Sequence, residues 1–128
     1  MLVVDASLAI EACFGRLPLA DLGDLCAPPL LWPEARSVIH ELGWRGAVTP
    51  SEAVSARRAL AVLPIEPRLH PGLGDEAWRL ADALGWAKTY DAEYLALAAL
   101  LRCRLVTVDA RLRRATARLG LVVGPAEL

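Results

Sequence analysis

Short apolar runs alternate with helical periodicities along the whole chain, and this βα order predicts an α/β fold. Leu2 to Val4 reads as a first strand, followed by a helix from about Ser7 to Phe14 that Gly15 stops. After a loop rich in Pro and Asp, Leu25 to Ala27 predicts a second short strand, broken by Pro28 and Pro29. Pro33, taken as a first helical position, opens a helix that Gly43 to Gly46 close. Thr49, Pro50 and Glu52 have the spacing of a capping box and open a helix running to about Val62. Leu63 to Glu66, bracketed by Pro64 and Pro67, fits a strand only at an edge or end of a sheet. Beyond a turn at Gly72 to Gly74, Asp75 is placed to cap a helix ending near Gly85, with Ala77, Leu80, Ala81 and Leu84 on one face. Asp91 to Leu101 is apolar almost all round, which predicts a helix buried between the sheet and other helices. Leu105 to Val108 reads as a fully buried parallel strand. Arg111 to Leu119 is helical, Gly120 ends it, and Leu121 to Val123 is a last strand.

Composition narrows this reading. At 128 residues and 55% hydrophobic, the chain suits one domain over residues 1–128, with enough core to fold without disulfides or a structural metal. The longest clean apolar run, Leu95 to Leu101, is far too short to span a bilayer. The first strand starts at Leu2 with no basic leader before it, so the expectation is a cytoplasmic protein, neither exported nor trimmed. Cys13, Cys26 and Cys103 form no C-x-x-C pair and read as buried free thiols. His40-Glu41 begins like a zinc helix but has no second histidine, which excludes zinc chemistry of that type. With a net charge of -1, any surface for nucleic acid has to be local. Trp32, Trp44, Trp78 and Trp86 read as core or interface packing rather than base stacking.

Four carboxylates carry the candidate chemistry. Asp5 follows the first strand and Asp109 follows Leu105 to Val108, while Glu34 and Asp91 fall in first turns of helices. In an open parallel sheet the carboxyl ends of the strands share one edge, so these remote acids would converge there. Carboxylates about 4 Å apart repel by about 4 kcal/mol per pair at an effective dielectric near ~20, unless protons or a cation intervene. A hard divalent ion, Mg²⁺ or Mn²⁺, takes oxygen ligands of this kind. Helix capping or a favourable dipole position explains each acid taken singly, and the same holds for the hydroxyls of Ser7 and Thr107, which would otherwise orient a ligand carboxylate or water. Glu93 faces solvent or assists from behind. Arg111, Arg114 and Arg118 recur on one helical face beyond Asp109, with Arg113 directed elsewhere, either as a phosphate-binding surface or as a solvated face.

These residues resemble the PIN-domain family, most closely the toxin ribonucleases of the VapC type. The resemblance covers nearly the whole length and rests on Val3-Val4-Asp5-Ala6-Ser7, Glu34, Tyr90-Asp91-Ala92 with Leu97-Ala98, and Thr107-Val108-Asp109-Ala110-Arg111-Leu112. It implies a three-layer fold with a mainly parallel central sheet flanked by helices. It also implies that Asp5, Glu34, Asp91 and Asp109 are the metal-binding and catalytic quartet of a Mg²⁺- or Mn²⁺-dependent endoribonuclease, with Ser7 and Thr107 behind them and RNA along Arg111 and Arg114. A cognate antitoxin and a homodimer follow from the same resemblance. Two positions depart from the family pattern: Arg36-Ser37 stands where a small residue and Asn are usual, and Ser7 where many members have Asn. The absence of a G-x-S-x-G elbow, and of a second Asp two residues after Asp5, argues against nucleophilic serine chemistry and an aspartyl phosphatase. A PIN-like fold kept only for binding another protein is the alternative.

Overall fold

The computed structural model describes residues 1–128. In chain order its elements are β1 (Leu2–Val4), α1 (Ala6–Cys13), β2 (Leu25–Ala27), α2 (Leu31–Trp44), α3 (Pro50–Ala61), β3 (Glu66–Pro67), α4 (Leu73–Leu84), α5 (Tyr90–Leu101), β4 (Leu105–Val106), α6 (Ala110–Ala115) and β5 (Val122–Val123). Single 3-10 turns lie at Ala20–Leu22, Ala117–Leu119 and Pro125–Glu127. All strand pairs are parallel, in the order β3-β2-β1-β4-β5, with Val3 level with Cys26 on one side and Leu105 on the other.

This order places the site. Successive connections run from β1 outward through β2 to β3, then the chain returns to the other side of β1 for β4 and β5. With right-handed crossovers, α1 to α3 cover one face of the sheet and α4 to α6 the other, giving three layers. Within those layers α1, α2 and α3 pack together, while α4 packs on α5, which lies on β1 and β4. Val3, Val4, Cys26, Ala27, Leu105 and Val106 are shielded on both faces, and one apolar cluster runs through them and both helical layers. The order reverses between β1 and β4, and just past their carboxyl ends a ligand crevice is expected.

Several boundaries differ from the sequence expectation, each for a local reason. Helix α2 starts at Leu31, so Pro33 is its third residue rather than its first. The first three amides of a helix have no intrahelical acceptor, so the missing N–H of Pro33 costs nothing there, and the first full-turn bond runs from the Glu34 amide to Leu30 O at 3.1 Å. Likewise α4 is capped at Gly72, and Asp75 sits in its first turn instead of capping it. The edge strand is shifted onto Glu66–Pro67, where a proline is tolerated because no further strand pairs beyond it. Strand β4 ends at Val106 and Val108 is 40% exposed; the Thr107 amide still donates to Val123 O at 3.0 Å, while its side-chain hydroxyl turns to Asp5. The last helix is shorter than Arg111 to Leu119: α6 ends at Ala115, where the buried Thr116 hydroxyl donates to Leu112 O at 2.7 Å, and a 3-10 turn follows.

The capping box at Thr49 is formed as expected, with the Glu52 amide donating to Thr49 Oγ1 at 3.1 Å and the Thr49 amide to Glu52 Oε1 at 2.9 Å. All three cysteines are free, Cys13 and Cys26 buried and Cys103 half-buried. The tryptophans divide: Trp32 and Trp86 are half-buried and pack against the core, whereas Trp44 and Trp78 are 83% and 68% exposed. The helices that carry Trp44 and Trp78 already fill the interior with Ile39, Leu80 and small alanines. No helix is long and apolar enough to cross a membrane.

Candidate active site

Asp5 leaves the end of β1 in an extended conformation and caps α1. Its Oδ1 accepts from Ser7 Oγ at 2.7 Å and from the Leu8 amide at 3.1 Å, and its Oδ2 accepts from the Thr107 hydroxyl. Each hydroxyl has one proton, and both are directed at Asp5; their oxygens in turn accept the Val108 and Asp109 amides at 3.4 and 3.0 Å. Ser7 and Thr107 thus tie the end of β1 to the end of β4. Asp5 is only 6% exposed, and burial raises its carboxyl pKa despite these three donors, with the charge of Asp109 adding to the rise.

The other three acids reach the same edge from separate elements. Asp109 caps α6, its Oδ1 accepting from the Arg111 and Leu112 amides at 2.9 and 3.2 Å. Glu34 in the first turn of α2 accepts from the Tyr94 hydroxyl at 3.1 Å. Asp91 stands in the first turn of α5. Capping therefore accounts for part of Asp5 and Asp109 and for none of the placement of Glu34 and Asp91.

The quartet is linked by mutual repulsion. Burial raises Glu34, and Asp91, Asp5 and Glu93 push it further. Burial raises Asp91 too, with Asp109 adding to it and the nearby Arg111 guanidinium opposing. Asp5 with Asp109, Asp109 with Asp91, Asp91 with Glu34, and Glu34 with Asp5 are thus all electrostatic neighbours. Glu93, half-buried and raised by burial, stands behind Glu34. As the side chains stand, no three His, Cys, Asp or Glu residues are gathered tightly enough to hold one ion. The donor set nonetheless fits a hard divalent cation by its chemistry. Every group is an anionic oxygen donor, Arg111 is the one cation that acts on Asp91, and the Asp5, Glu34 and Asp109 hydrogen bonds use up only part of their acceptor capacity.

Sequence reasoning missed Tyr94. It is buried in α5, and its hydroxyl proton is held far beyond the ordinary phenol range by burial and by Glu34, so it remains a donor to that carboxylate. A tyrosine inside an otherwise apolar helix was the available signal, since a buried phenol needs a partner. The arginines divide: Arg111 and Arg114 are exposed, Arg113 pairs with Glu127, and Arg118 donates to Ala83 O at 3.2 Å beyond the end of α6.

A PIN domain profile matches residues 2–117. Among curated relatives, "VapC ribonuclease Mb0985" of Mycobacterium bovis and "Ribonuclease VapC9" of Mycobacterium tuberculosis are each 36% identical over 120 residues, covering 88% of this chain and 88% of their own. In fold, the crystal structure of PAE2754 from Pyrobaculum aerophilum is similar with a TM-score of 0.77 at 23% identity, over 98% of this chain and 90% of that one.

Proposed function

The chain belongs to the PIN-domain family, and from that premise we propose that it is a VapC-type endoribonuclease, the toxin of a type II toxin–antitoxin pair. What supports this reading is that Asp5, Glu34, Asp91 and Asp109, on four separate elements, act on one another electrostatically beside the reversal point of a parallel sheet. In the mechanism Asp5 is the fixed member, oriented by Ser7, Thr107 and the Leu8 amide. Tyr94 orients Glu34, and Asp91 and Asp109 supply the remaining carboxylates. The chemistry supplied by bound Mg²⁺ or Mn²⁺ there is Lewis-acid stabilisation of phosphoryl charge and a lowered pKa for the attacking water. Arg111, beside Asp91, and Arg114 supply positive charge for the RNA backbone at the rim.

The same reading implies an antitoxin and a homodimer. A groove of about 370 Å³ between α2 and α3, with Ile39 and Ala53 in its lining and Arg36 and Arg57 beside them, supports a partner segment that is apolar and acidic. Co-purification of the native complex checks the partner.

The deciding experiment is RNA cleavage with Mn²⁺ or Mg²⁺ by Asp5→Ala and Asp91→Asn. Both are expected to lose turnover by at least a thousandfold, on the order of 4 kcal/mol in barrier. Asp91→Asn is the cleaner variant, because no helix cap depends on it. Cleavage at the parent's rate by both folded variants would overturn the assignment.

A further inference from the structure

A cleft of about 540 Å³ opens beside the acids, between the first turns of α2 and α5 and the α4–α5 connection. Glu34 and Asp91 line it, together with Trp86, Lys88 and Tyr90. Tyr90 is 57% exposed at the first position of α5, next in sequence to Asp91, and Trp86 is half-buried. Lys88 is exposed and takes part in none of the chain's ion pairs, although two carboxylates share its cleft.

Trp86 packs partly against the core, but Tyr90 lies outside it and Lys88 makes no ion pair, so these two are free to meet a ligand. A large ring left in water at the mouth of a cleft is unfavourable unless something covers it, and an unpaired ammonium beside it is a ready phosphate contact. The volume lies within the ~300–1,000 Å³ of small-molecule sites, enough for one nucleotide and too little for a duplex. From these features we propose that the cleft is a nucleotide subsite of the ribonuclease. The nucleotide adjoining the scissile phosphate places its base on the Tyr90 ring, with Trp86 beside it, and a neighbouring phosphate meets Lys88. This inference rests on the ribonuclease reading, since the two acids of the cleft wall are the link to the scissile bond. It makes Tyr90 and Lys88 substrate-binding residues. It also requires a base free of its own stack, because a paired base has no open face to offer an aromatic ring.

The test uses a fluorescein-labelled mixed-sequence octaribonucleotide, single-stranded or annealed to its complement. Binding is followed by anisotropy in an Asp5→Asn background, and KM and kcat are measured in the otherwise native chain with Mn²⁺. Tyr90→Ala is expected to weaken binding of the single strand and raise KM about tenfold, within the range for loss of one stacked base, while Tyr90→Phe keeps the parent's values. Lys88→Ala is expected to lower the salt slope of binding by about one phosphate contact. The duplex is expected to bind no better to the parent than to Tyr90→Ala. Unchanged KM, affinity and fragment pattern in Tyr90→Ala, in a parent that cleaves RNA, would overturn the subsite and leave the ribonuclease standing. Tyr90-dependent binding in a parent that cleaves no RNA with either metal would sink the ribonuclease reading and, with it, the cleft's role as a subsite for cleavage. Absence of any binding at high micromolar protein would overturn the subsite as well.

Discussion

At the scale of single residues, the site is organised by hydroxyls that serve a carboxylate. Thr107 donates to Asp5 and accepts from the Asp109 amide, so one side chain sets the positions of two acids from different strands. Thr107→Val keeps the shape and deletes both bonds. The expected result is a stability loss of about 1–3 kcal/mol by chemical denaturation, from leaving a buried carboxylate oxygen and an amide without partners, together with slower RNA cleavage. Unchanged stability would show that Asp5 finds another donor. Tyr94 has the same role toward Glu34, and Tyr94→Phe preserves packing while removing the hydrogen bond.

At the scale of elements, the helices are held by local signals and by close approach. Gly43 in α2 faces Ala53 of α3 so closely that a Cβ added at Gly43 would lie 2.9 Å from the Ala53 methyl. The two helices meet there because one side chain is absent. Gly43→Ala would gain helix propensity, but must part the helices, and a net cost of about 1–3 kcal/mol is expected in thermal or urea unfolding. A more stable Gly43→Ala would mean that the α2–α3 contact yields easily. The capping box at Thr49 was legible because its bonds are local in sequence. The start of α2 was not, because Pro33 suits any of the first helical positions and only the preceding turn, where the Leu31 amide bonds to Pro28 O at 3.0 Å, decides among them.

At the scale of the whole molecule, folding forces like charges together, and that has a pH signature. Burial and mutual repulsion raise the carboxyls of Asp5, Glu34 and Asp91 above their ordinary range. A raised acid binds its proton more tightly when folded, so its ionisation penalises the fold as pH climbs through the raised value, and the penalty is absent below the unfolded value. Glu52 and Glu76, lowered by the Thr49 amide and by Arg79, act in the opposite sense but lie near the surface, where such effects are small. Metal-free protein is therefore expected to gain in melting temperature as pH falls from neutrality toward the ordinary carboxyl range, and this gain shrinks in Asp5→Asn. Mn²⁺ is expected to raise the melting temperature more at the higher pH, since protons compete for the same oxygens. Calorimetry showing no Mn²⁺ binding would favour a PIN-like scaffold without catalysis.

The amino-acid sequence by itself determined the βα order, the capping box, the burial of α5 and the strand-end or first-turn positions of the four acids, because each depends on neighbours within a few positions or on periodicity. The sequence pattern extended the strand at Leu105 through Val108 and did not separate Trp32 and Trp86, which pack on the core, from the exposed Trp44 and Trp78, since neither reading knew what lay opposite. Only the tertiary structure decided that the Thr107 hydroxyl meets Asp5, that Tyr94 meets Glu34 across 60 positions of sequence, and that Trp86, Lys88 and Tyr90 flank the acids in one cleft. The physical reason is the sheet order. With β1 between β2 and β4, the winding reverses beside β1, and side chains far apart along the chain come to share one edge.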